Sequence, residues 1–141
     1  MLTLETIKGA ISEDLKIESA GSFTRFILPN GDFLADVKLE TGRVYSSIDL
    51  LTTQIDNVET QEDDYSMLID GYADAFHSEF LPAWKTAGFT LDCVEEASAD
   101  PNYIMVTARI ETTCSDVGIL VERLNYLREH LYDASGAISF L

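Results

Sequence analysis

Asp70, Asp74 and His77 stand four and three residues apart, so a helix carries two carboxylates and an imidazole on one side. That trio is a donor set for a divalent cation. One helix rarely completes a metal site, and the sequence offers no second cluster of ligands. A solvated acidic face, with His77 paired to Asp74, is the simpler reading, and metal binding ranks last among the functional readings. Nucleophilic chemistry has less behind it. His77 and His130 are the only two histidines, and neither serine nor cysteine sits in a nucleophile motif such as G-x-S-x-G. No glycine-rich loop leads from a strand into a helix to cradle phosphate. The paired acids Glu13-Asp14, Asp63-Asp64 and Glu95-Glu96 are what an acidic surface produces by default. The expectation is therefore a protein without catalytic residues, metal or cofactor.

Cys93 and Cys114 are the two cysteines, too few for a disulfide framework. Cys93 alternates with Phe89 and Leu91, which predicts a small inward residue on a strand. Cys114 precedes a helix, whose positive end favours a thiolate. Inert thiols are the default for both.

Charge is the most unusual property of the chain. Its formal net charge is −16, with 25 acids against nine Lys and Arg. Between Arg43 and Lys85 there is no basic residue and there are nine acids, from Asp49 to Glu79. Such a surface repels nucleic acid and anionic lipid and attracts basic partners or cations. A hydrophobic fraction of 46% and 141 residues suit one globular domain spanning 1–141. No apolar run approaches the ~20 residues that span a bilayer. The start, Met1 to Glu5, lacks the features of a signal peptide, so a cytoplasmic protein is expected.

The elements that must position these groups follow from periodicity. Leu4, Ile7, Ile11 and Leu15 predict an amphipathic helix from Thr3 to about Leu15. Ser22–Leu28, Phe33–Glu40 and Val44–Leu50 read as three antiparallel strands joined by Pro29-Asn30-Gly31-Asp32 and Thr41-Gly42. In the second of these Phe33, Ala35, Val37 and Leu39 alternate with polar residues. An acidic loop is expected over about 52–64. A helix follows from near Asp63 to Gly88, kinked or restarted at Pro82. Phe89–Glu96 and Tyr103–Glu111 are the fourth and fifth strands. A last helix, capped by Thr113 or Ser115, is striped by Val117, Leu120, Leu124, Leu127 and Leu131. An apolar tail, Ala137 to Leu141, is expected to dock on the core or a partner. The predicted fold is α+β, in the order α-β-β-β-α-β-β-α: an antiparallel sheet of about five strands with helices on one face.

This layout, from the Leu4–Leu15 helix to the Val117–Leu131 helix, together with the acidity and small size, resembles the chaperone-like fold of bacterial type III secretion. Bacterial sensory-transduction-regulator relatives share it. The resemblance implies a non-enzymatic, acidic and often dimeric protein that holds a stretch of a partner along its surface. The central helix is longer than that pattern has, and the Thr52–Asp64 loop departs from it.

Two functions remain. The first is a chaperone-like or regulatory protein-binding module acting as a homodimer, with another protein, basic or partly unfolded, as partner. The second is an acidic decoy, an inhibitor or immunity protein that presents carboxylates to a nucleic-acid-binding groove. Asp56, Glu59, Glu62, Asp63 and Asp64 are the expected partner-binding acids, with Asp70 and Asp74 added in the decoy reading. Trp84, beside the Pro82 kink, is the expected aromatic at the interface.

Overall fold

The computed structural model describes residues 2–54, 62–96 and 103–134. Helix α1 (Leu4–Ala10) is capped by Thr3, whose hydroxyl accepts from the Thr6 amide. It ends well before Leu15. Ser12 turns the chain by bonding Asp14 at 2.5 Å, and Leu15 reaches the core from that turn rather than from a helix. Four strands follow: β1 (Lys16–Ala20), β2 (Phe23–Ile27), β3 (Phe33–Lys38) and β4 (Arg43–Gln54). Then come α2 (Glu62–Glu79), α3 (Leu81–Thr86), β5 (Thr90–Glu96), β6 (Tyr103–Thr113) and α4 (Val117–His130). Asp116 caps α4 by accepting from the Ile119 amide at 2.9 Å.

The fold is α+β, with a single antiparallel sheet in the order β1-β2-β3-β4-β6-β5. Six strands and four helices replace the expected five and three. Strand β1 is the addition, a hairpin partner of β2 closed by Gly21 at φ +65°. The central helix is two helices. Pro82 sits in the first turn of α3, where its missing N–H costs nothing, and the chain restarts at Phe80. Both ends of the predicted 52–64 loop belong to regular elements. Thr52, Thr53 and Gln54 extend β4 along β6, and the first residues of α2 take its other end.

Inward residues of the strands, among them Phe26, Val37, Val44, Ile48 and Ile110, join the helix residues Ile7, Phe76, Leu120, Leu124 and Leu127 in one core. Two polar groups on this side are satisfied: Ser46 donates to the Leu34 carbonyl at 2.6 Å, and Thr112 to the Gly88 carbonyl at 2.8 Å. No described helix covers the other face of the sheet, but Leu131 and Tyr132, just beyond α4, border it beside Phe33, Ser47 and Asp49, where Thr107 is buried.

The turn after α1 is tied to α4. Arg128 on α4 grips Asp14 with both guanidinium arms, one at 2.9 Å. Hydrogen bonds from Arg128, then from Ser12, hold the Asp14 carboxyl far below the usual carboxylate range. A carboxylate depressed in the folded state stabilises it above the unfolded pKa of about 4 and loses that contribution as pH falls. Asp14→Asn is therefore expected to be less stable than the wild type at pH 7, with the gap closing below about pH 4. Urea unfolding across that range checks it.

Candidate functional site

Strand pleating sends alternate residues to the uncovered face, and the register sorts them into rows across the sheet. One row runs Glu18, Arg25, Asp36, Tyr45, Glu111 and Thr90 from β1 to β5. The next contains Lys16, Ile27 and Phe33 on one side and Ser47, Arg109 and Cys93 on the other. Phe33 reaches this face because the β2–β3 register shifts at Phe26/Ile27, leaving Leu34 as the inward residue. The predicted inward position of Phe33 is thereby corrected.

At the centre of the face lies a groove of about 390 Å³ between Phe33, Asp36, Tyr45, Ser47, Asp92 and Arg109. Its walls are fixed by three contacts. Arg25 bonds Asp36 bidentately, at 2.9 and 3.0 Å. The same guanidinium stands 5.3 Å from the Phe33 ring centre, a cation–π distance. Phe23 meets Tyr45 edge to face at 5.7 Å. On the far side Arg109 pairs with Glu95 at 2.7 Å. Arg109 is 58% exposed at its side chain, so this pair holds a position rather than adding much stability. A partner docking here meets two aromatic surfaces, two guanidinium groups and three carboxylates already oriented.

Cys93 belongs to this face and not to the core. A register shift between Leu91 and Cys93 inserts Asp92 as an extra residue and turns Cys93 to the side of Arg109. Burial, then Glu95 and Asp92, push its thiol pKa up. Cys114 is buried, and burial likewise raises its pKa, outweighing the positive charge of Arg123.

The residues singled out from sequence lie elsewhere. Asp56 and Glu59 fall outside the described residues, as does the Ala137–Leu141 tail. Glu62, Asp63 and Asp64 form the first turn of α2. Asp70, Asp74 and His77 are exposed on α2, and no group of three potential ligands comes together among the described residues. Trp84 is not on the surface. It is 2% exposed, its indole edge-to-face with Phe89 at 5.2 Å and Tyr126 at 4.8 Å. The restart at Phe80 turns α3 so that Leu81 and Trp84 both point into the core. His130 closes the far side of that cluster, 4.3 Å from the Tyr126 ring, and bonds Asp133 at 2.6 Å.

Sequence reading missed the open face, although its signal was present. Tyr45 and Arg109 occupy the outward positions of strands whose alternation was legible, and an outward aromatic on a half-buried strand marks a contact surface. Set against family models, curated proteins and solved structures, the chain matches none of them.

Proposed function

We propose that this chain is a non-enzymatic protein-binding module that holds a partner against the open face of its sheet, in a chaperone-like or regulatory role. The observation that carries this reading is the oriented aromatic and arginine patch, Phe23, Arg25, Phe33, Tyr45 and Arg109, around an open groove. Tyrosine and arginine are the residue types that dominate binding hot spots, and here neighbouring contacts hold them in place. The resemblance of the predicted element order and acidity to the type III secretion chaperone-like fold points to the same reading, although the observed order has one more strand and one more helix. The edges of the sheet favour the face over strand addition. β1 is only five residues long and carries Lys16 and Glu18, while β5 is bulged at Asp92.

Binding through this face predicts that Tyr45→Ala with Arg109→Ala weakens partner capture at least about tenfold, the equivalent of ~1.4 kcal/mol. Asp74→Asn on α2 should leave it unchanged. Quantitative affinity measurement on the captured partner, with hydrogen exchange to map protection, checks both. The reverse pattern, in which α2 variants lose the partner steeply with salt and Tyr45→Ala does not, sinks this reading in favour of the acidic decoy.

A further inference from the structure

We propose that the occupant of the open face is a second copy of this chain, packed sheet to sheet about a two-fold axis that runs across the strands. The proposal rests on the reading of this face as a binding surface and names its partner.

The argument begins with charge. Lys16, Arg25, Lys38, Arg43 and Arg109, five of the chain's nine cations, stand on this one face. Among the described residues six acids share it, counting Asp92 at the bulge. Two copies at −16 repel through any other surface, and this face is close to neutral.

The charges are also ordered. Taken along the strands, the first row holds Lys38 and Arg43, adjacent across β3 and β4. The second holds Glu18, Arg25, Asp36 and Glu111, with acids in excess. The third holds Lys16 and Arg109, and the fourth Asp49 and Glu95, which flank Thr107. The rows therefore alternate positive, negative, positive, negative.

An alternating series of four is complementary to its own reverse. A two-fold axis across the strands reverses the rows while leaving each strand over its own mate. Arg43 then faces Asp49, Glu111 faces Arg109, and Glu18 faces Lys16 of the other copy. Phe33 and Tyr45, in the two middle rows, meet near the axis as an apolar centre inside a charged rim. An axis along the strands instead sets each row against itself, like charge on like. The pattern thus selects one of the two symmetric sheet packings.

The face is large enough. Five strand spacings of ~4.8 Å and three row spacings of ~6.8 Å give a footprint on the order of 500 Å² per copy. Both copies together reach about 1,000 Å², the lower bound for a specific interface.

Sedimentation equilibrium of the full chain from about 1 to 100 µM tests this, with Arg43→Glu, Asp49→Arg and the double variant, circular dichroism confirming the fold of each. The wild type is expected to dimerise. Each single reversal should weaken the dimer at least about tenfold, because it places like charges opposite one another twice per dimer. The double variant should recover to within about threefold of the wild type. Within one chain the two residues are six apart on one strand, about 20 Å, so only contact between copies produces the rescue. A wild type that is monomeric throughout, or a double variant no better than the singles, overturns the proposal. If the wild type is monomeric while Tyr45→Ala with Arg109→Ala still weakens binding of a different protein, the second copy is excluded and the partner-binding reading stands. If that variant also changes nothing, both fall.

Discussion

Trp84→Ala is expected to cost about 3–5 kcal/mol, a large part of the ~5–15 kcal/mol that holds a domain together. The indole is the meeting point of α3, β5 and α4, through Phe89 and Tyr126. Its removal leaves a cavity walled by rings, and three separate elements would have to shift together to fill it. Trp84→Phe retains one ring and should lose far less, because the surrounding side chains keep most of their contacts. Urea unfolding followed by far-UV circular dichroism separates the two variants. A loss below about 1 kcal/mol for Trp84→Ala would contradict the packing described here.

Gly42→Ala is the second large effect, and its origin is backbone rather than side chain. Gly42 lies at φ +74°, and a Cβ there would stand 2.0 Å from the Cys114 carbonyl oxygen. The two segments are already tied by the Cys114 amide, which donates to the Gly42 carbonyl at 2.8 Å. Neither can give way without breaking that bond. The left-handed conformation and the overlap each carry a penalty of about 1–3 kcal/mol, so a loss of about 3 kcal/mol or more is expected. Gly21→Ala is the control. It shares the positive φ, at +65°, but has open space around it. Only the conformational cost, about 1 kcal/mol, should appear there in thermal or urea melts.

The contrast between those glycines shows what a sequence discloses. Thr41-Gly42 was legible as a turn because glycine and a polar neighbour between two alternating segments carry that chemistry locally. That Gly42 also touches Cys114, some seventy residues later, depends on tertiary closure and leaves no local mark. Strand β1 escaped for another reason. Lys16-Ile17-Glu18-Ser19-Ala20 has one large apolar residue, since an edge strand with little burial needs no alternating stripe. Its only clue was Gly21-Ser22 ahead of a clear strand. Phe33 and Cys93 were assigned to the wrong face by the same mechanism. A register shift adds one residue and inverts every later alternation, and period-two reading has no means to detect it. The open-face groove is assembled across those shifts, so it became visible only with the register in hand. Trp84 failed differently: a break at Pro82 was anticipated, but not the direction in which α3 leaves it.

The pairing of β4 with β6, and of the turn after α1 with α4 through Asp14 and Arg128, sets the order in which the molecule can be made. A ribosome delivers α1 and the β1–β4 meander first, with Phe26, Val37, Val44 and Ile48 on a sheet face that has no helical cover yet. The strand that completes β4 and the helix that holds Asp14 arrive later, after α2, α3 and β5. Non-local contacts of this kind fold late, and the nascent half-sheet is the species exposed to aggregation in the interval. Slow synthesis between β4 and α4 is therefore expected to lower the yield of folded protein, however stable the finished fold is.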